Sequence, residues 1–97
     1  MPAFVVVQHR VRDYRAWKPV FEEHQVVRAK HGATGHVLYR ALDERNNVVI
    51  VTEFSSTDGA RAFMADPTLP EALTRAGVEM PPAVYLCEEV EKKTYRP

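Results

Sequence analysis

The sequence predicts an α+β domain of ferredoxin-like βαββαβ order, a four-stranded antiparallel sheet with its helices on one face. Three observations carry this expectation. Four stretches rich in Val, Ile, Leu and Phe have strand character, and the second and third are separated only by the turn-forming cluster DERNN. An amphipathic helix pattern joins the first stretch to the second. A further helical stretch, interrupted at Asp66–Pro67, joins the third to the fourth. With right-handed crossovers, this order leaves few topologies, and the split βαβ arrangement is the simplest of them.

The first strand is Phe4 to Val11, an unbroken β-branched run that then alternates, as suits a central strand. Val5, Val7, His9 and Val11 share one face; Phe4, Val6, Gln8 and Arg10 share the other. Asp13 has the chemistry of an N-cap for a helix running to His31, with Gly32 as its left-handed stop. The apolar stripe of this Asp13–Gly32 stretch is Tyr14, Trp17, Phe21, His24 and Val27. Pro19 demands either a start near Lys18 or an irregular first turn. Ala33 to Leu42 reads as the second strand and Val48 to Phe54 as its antiparallel hairpin partner. Ser55 to Asp58 offers capping side chains to a helix over Gly59 to Ala65. Asp66 caps a second short helix that has Pro67 at its first position and ends at Gly77. Glu79 to Pro82 reads as a linker stiffened by prolines, Ala83 to Val90 as the last strand, and Glu91 to Pro97 as a charged tail.

Residues 1–97 are short enough for one domain, whose modest burial favours self-association. Thirteen basic residues balance thirteen acidic ones, without a basic cluster, so nucleic acid and membrane are not expected partners. No apolar run approaches the ~20 residues that span a bilayer. The single Cys87 and the absence of a signal-like N-terminal segment point to a cytoplasmic setting. Helices on one face of the sheet leave the other face bare and apolar, and such a face calls for a partner. A homodimer through the sheet face follows.

His24 is the first candidate for chemistry. An imidazole on an otherwise apolar helix edge has its pKa lowered by burial, which suits a neutral general base. The alternative is a structural histidine bonded to backbone or to a carboxylate such as Glu53. His9 closes an aliphatic row on the first strand, so it either lines a cavity or marks the strand's wet end. His36, beside Gly35, reads as a rim residue, and His31 as a favourable cation at the negative end of the helix dipole. Trp17 and Phe21 suit stacking on a planar ligand; Tyr39 and Tyr85 offer phenolic donors; Glu53 follows an apolar run and could face inward. Each of these also has a reading as plain core or surface. No metal is expected: the histidines form no chelating pair, and His24 and His31 lie about 10 Å apart along a helix. No cofactor is expected either, because the four glycines stand apart and form no phosphate loop.

Three passages carry a family resemblance. They are DYxxWKPxFExH at Asp13 to His24, ARAFMADPTLPEALTRAGV at Ala60 to Val78, and PPAVYLCEEVE from Pro81 to Glu91. Together they resemble small, antibiotic biosynthesis monooxygenase-like (ABM-like) members of the dimeric α+β barrel superfamily. The resemblance implies a sheet-to-sheet homodimer and a substrate cavity between sheet and helices. It implies a function among those of the superfamily, which include cofactor-independent oxygenases, polyketide cyclases, isomerases and haem-degrading enzymes. The haem-degrading site is not matched, because Trp17 lies on the first helix and the second helical region has no histidine. The leading expectation is thus a cofactor-independent monooxygenase-like enzyme acting on a small aromatic or polyketide-type molecule. His24 and His9 would be its catalytic residues, and Trp17, Phe21, Tyr39, Tyr85, Glu53 and His36 would contact substrate. Alternatives are a cyclase or isomerase of the same fold, or a non-catalytic dimeric module that binds a small apolar ligand.

Overall fold

The computed structural model describes residues 1–97. Its elements are β1 (Ala3–Val11), α1 (Tyr14–Glu23), α2 (Gln25–Lys30), β2 (Ala33–Arg40), β3 (Asn47–Phe54), α3 (Thr57–Met64), α4 (Thr68–Arg75) and β4 (Val78–Cys87). The four strands form one sheet in the order β2-β3-β1-β4, with every neighbouring pair antiparallel, which is the expected ferredoxin-like arrangement. No helix is long and apolar enough to cross a membrane.

Asp13 caps α1, its carboxylate accepting from the Arg15 N–H at 3.0 Å. The helix runs regularly from Tyr14 through Pro19 and needs no late start. Pro19 is solvent-exposed, so the carbonyl that its missing N–H leaves free can be hydrated. The expected single helix is instead two, with the break at His24. Here the Phe21 carbonyl accepts from the Arg28 guanidinium at 2.9 Å, and the His24 ring is held by Thr68 from α4. Side chains from outside the local helical ladder thus secure both sides of the interruption. Gly32, at φ 94°, ends α2 as expected and turns the chain into β2.

The largest departure is in β4. Glu79 to Pro82 is part of the strand, which ends at Cys87 rather than Val90. Val78 pairs with Val11 and Glu79 with Arg10; the register then shifts, and pairing resumes at Ala83 with Gln8. The prolines are tolerated because β4 is an edge strand with one side free of hydrogen bonding. Their excursion falls opposite His9. The hairpin strand β2 also stops short of the expectation, at Arg40 instead of Leu42.

Register assigns the two faces of the sheet. Val5, Val7 and His9 of β1, Ile50 and Thr52 of β3, and Val84 of β4 point toward the helices. Phe4, Val6, Val37, Val51 and Tyr85 lie on the opposite face, which no element of the chain covers. The helix-side core divides into two clusters. One is built around Trp17, Phe21, Val48 and Ile50, the other around Val5, Phe54 and Phe63, and Val7 packs against both.

Candidate functional site

Between the two clusters lies a cavity of about 100 Å³, bounded by the sheet below and by residues of all four helices above. Its wall is mostly apolar, with Trp17, Phe21 and Phe63 among the lining residues. The polar groups on it are His9, His24, Arg28 and Thr52. Trp17 and Phe21 stack at 4.8 Å with planes 17° apart, because positions four apart on a helix face the same way. His9 meets the edge of this wall, 5.8 Å from Trp17 in a T-shaped contact. The aromatic side of the cavity is therefore a continuous surface ending in an imidazole.

His9 is 4% exposed, and neither ring nitrogen has a hydrogen-bond partner. Burial alone lowers its pKa to about 4, so the ring is neutral at physiological pH. A buried imidazole with both nitrogens unmet is costly to stability.

His24 is arranged differently. Its Nε2 lies 3.1 Å from Thr68 Oγ1, which in turn donates to Asp66 Oδ1 at 2.5 Å. Because the Thr68 proton is committed to the carboxylate, its oxygen accepts from His24 Nε2–H, and Nδ1 is left as the unprotonated nitrogen. Nδ1 has no partner, yet the His9 nitrogens are the only side-chain atoms both sealed and unpartnered, so His24 Nδ1 reaches accessible space. The far oxygen of Asp66 receives His31 Nε2 at 2.7 Å. Hydrogen bonds from His31 and Thr68 hold the Asp66 carboxyl well below the usual carboxylate range. Burial and then the Arg28 charge lower the pKa of His24, while Asp66 opposes them. This is a base oriented by a third group: a proton on Nδ1 would give an imidazolium whose other N–H already points down a chain to a carboxylate.

Arg28 completes the inner wall. It is buried, its guanidinium sits 3.9 Å from the centroid of the Phe21 ring, and desolvation lowers its pKa to about 10. It also lines a second cavity of about 100 Å³ beside β2, which shares Arg28 and Thr52 with the first and reaches His36. His36 is exposed and meets Phe21 edge-on at 5.0 Å; burial, then Arg28 and Lys18, lower its pKa. No three His, Cys, Asp or Glu side chains gather closely enough to hold a metal ion.

The structure thus brings His9, Trp17, Phe21 and His24 to one cavity, with His36 at the neighbouring one. It separates Tyr39, Tyr85 and Glu53 from them. Tyr39 is paired with Val49, Tyr85 with Val6 and Glu53 with Phe4, all on the bare face of the sheet, so none can serve as a cavity wall within this chain. Glu53 is also not the partner of His24; Thr68 is. His31 bonds to Asp66 in addition to closing its helix. Sequence reasoning missed Arg28, Asp66 and Thr68. The 3-4-3-4 spacing of Tyr14, Trp17, Phe21 and His24 continues to Arg28, and a cation in line with an apolar stripe is the available signal.

No family model matches the sequence, and no curated protein matches it. Solved structures do. A single-residue variant of SnoaB, a cofactor-independent oxygenase from Streptomyces nogalater, aligns with a TM-score of 0.76 at 22% identity, covering 94% of this chain and 95% of that one. A protein of Bordetella bronchiseptica assigned to the antibiotic biosynthesis monooxygenases aligns with a TM-score of 0.75 at 14% identity, covering 93% and 98%. Rv0793 from Mycobacterium tuberculosis aligns with a TM-score of 0.72 at 15% identity, covering 97% and 100%. The chain has the fold of the antibiotic biosynthesis monooxygenase-type proteins over nearly its whole length.

Proposed function

We propose that this chain, which carries the antibiotic biosynthesis monooxygenase fold, is a cofactor-independent oxygenase of small aromatic or enolisable molecules. The observation that carries the reading is the pairing of an apolar, aromatic-walled cavity with a neutral, oriented His24 whose Nδ1 is free. The description of SnoaB as a cofactor-independent oxygenase supports the same class of chemistry. His24 Nδ1 takes a proton from an activated C–H or phenol O–H. The resulting carbanion or phenolate is electron-rich enough to reduce dioxygen itself. For a methylene between activating groups, electron transfer to dioxygen and recombination give a hydroperoxide, which loses water to leave a carbonyl. One methylene and one dioxygen thus become one carbonyl and one water, with the carbon oxidised and the dioxygen reduced. For the neutral His9 to donate a hydrogen bond to the substrate oxygen as charge develops on it, the ring turns to bring a nitrogen, sealed in this structure, to the cavity surface.

Size narrows the substrate. A cavity of about 150 Å³ holds a benzene molecule, so at about 100 Å³ even one ring requires the wall at Pro82 and Val84 to give, and a polycyclic substrate requires a larger outward movement. We place the working enzyme in a homodimer joined by the bare sheet face. Support comes from its apolar rows, such as Val37–Val51–Val6–Tyr85, in which Val37 is 49% and Tyr85 62% exposed.

The test is oxygen uptake with monocyclic hydroquinones and β-dicarbonyls in the presence of a chelator, using isotopically labelled dioxygen to trace the product. His24→Ala should lower kcat by about 100-fold or more while leaving the fold intact. Turnover unchanged by that substitution would remove His24 as the base. Proton exchange at the substrate without oxygen uptake would favour an isomerase or cyclase instead.

A further inference from the structure

The chain has two buried side chains that carry full charge, Asp66 and Arg28, and the fold treats them oppositely. Asp66 is met by His31 and by Thr68. Arg28 has no ionic partner: the ion pairs of the chain are Arg10–Glu44, Lys18–Glu22, His31–Asp66 and Arg75–Glu23. Its one hydrogen bond within the protein runs from Nη2 to the Phe21 carbonyl. Nε, Nη1 and the second N–H of Nη2 have no protein partner, none of these atoms is sealed, and Arg28 lines both cavities. A guanidinium held on one side by the backbone, stacked on an aromatic ring and free along another edge is a preformed fork for a planar anion. An unpaired cation is costly to keep in a buried site, and an anionic ligand group would offset that cost.

We propose that the cavity binds aromatic monocarboxylates, with the carboxylate on the free edge of Arg28 and the ring laid along the Phe21–Trp17 wall toward His9. The charge count favours a monoanion over a phosphate dianion. Arg28 is the only lysine or arginine on either cavity wall; burial and Arg28 lower the pKa values of His24 and His36, and Arg75 and Lys18 act on those rings from outside the linings. The wall supports the ring: Arg28, Phe21, Trp17 and His9 follow one another at 3.9, 4.8 and 5.8 Å. This inference rests on reading the cavity as a ligand site, and it names the ligand's charge.

The experiment is isothermal titration of the full chain with benzoate and with its uncharged isostere benzamide, at pH 7 and low salt. Wild type should bind benzoate at least about 10-fold more tightly, the scale of a charge-assisted hydrogen-bond pair. Arg28→Gln, which keeps an amide N–H for the Phe21 carbonyl, should bring the two affinities to within about threefold. Equal affinities in wild type, no benzoate binding, or a preference that survives Arg28→Gln would each overturn the proposal. If the variant does not fold, wild type still decides. Benzoate, but not benzamide, should raise the NMR titration midpoints of His24 and His36 by neutralising the charge that lowers them, and unmoved midpoints overturn the assignment. None of these readouts involves oxygen. A benzoate preference without any turnover would refute the oxygenase reading and leave the carboxylate site standing, whereas turnover of neutral substrates without a benzoate preference would do the reverse.

Discussion

Replacing His9 by Leu should make the protein more stable. The two side chains are close in volume, and the apolar one removes both buried, unpartnered ring nitrogens. Unmet buried polar groups cost about 1–3 kcal/mol, offset in part by the edge contact with Trp17, so a gain of about 1–2 kcal/mol at pH 7 is expected. The pH dependence provides a second, independent arm. His9 has a pKa of about 4 in the fold against its ordinary 6.5, so below pH 6.5 the unfolded chain binds a proton that the folded chain refuses. Stability from this group is therefore fully present above pH 6.5, falls as the pH drops toward 4, and levels off below that. Linkage gives a loss of roughly 2 kcal/mol between about pH 7 and pH 5. Urea denaturation followed by the fluorescence of Trp17, the only tryptophan, measures both arms. His24 and His36 contribute pH dependence of the same sign in both proteins, so the quantity that matters is the difference between wild type and variant. A His9→Leu protein that is less stable at pH 7 and equally sensitive to acid would show that His9 is a satisfied structural residue.

Two other perturbations test the frame around the site. A Cβ added at Gly59 would stand 2.2 Å from the His31 carbonyl oxygen, a backbone atom that cannot swing aside. Gly59→Ala should thus cost at least about 2 kcal/mol in urea denaturation, and a neutral effect would mean that Gly59 does not lie against the His31 carbonyl. Val51 lies at the middle of the bare face, paired with Val6 and Val37. Val51→Asp should convert a dimer to a monomer in sedimentation velocity while leaving the helical circular dichroism signal unchanged, and a wild-type monomer at micromolar concentration would refute the proposed dimer.

How far the site is legible in the sequence depends on which periodicity carries the information. The helix stripe places Trp17, Phe21 and His24 together because one face of an amphipathic helix is distinguished by its polar opposite. Strand parity groups residues correctly as well: Val5, Val7 and His9 do share a face. Parity alone does not say which face meets the helices, and here composition could not decide, because Phe4 and Val6 on one side of β1 are as apolar as Val5 and Val7 on the other. Placing Tyr39, Tyr85 and Glu53 at the cavity rests on that ambiguity. The same property that hides the answer, a sheet apolar on both sides, is the one that supports the proposed dimer. The β4 boundary fails for another reason: prolines argue against a strand only when both sides are hydrogen-bonded, and edge position is a tertiary fact.

Arg28 and the Asp66–Thr68 pair escape a sequence reading because each is meaningful only across elements. Thr68 is 44 positions from His24, and a threonine at the start of a helix ordinarily reads as surface capping. In the fold it couples His24 to Asp66, so protonation of the imidazole is stabilised through a neutral hydroxyl and not by a direct ion pair. That distinction has a functional consequence. A carboxylate in contact with His24 would raise its pKa and hold the proton, whereas a carboxylate one hydroxyl away, opposed by burial and by Arg28, leaves the ring neutral and able to accept one. An anionic ligand on Arg28 would weaken one of the influences that keep His24 neutral, and would therefore strengthen the base when a ligand is present to be deprotonated.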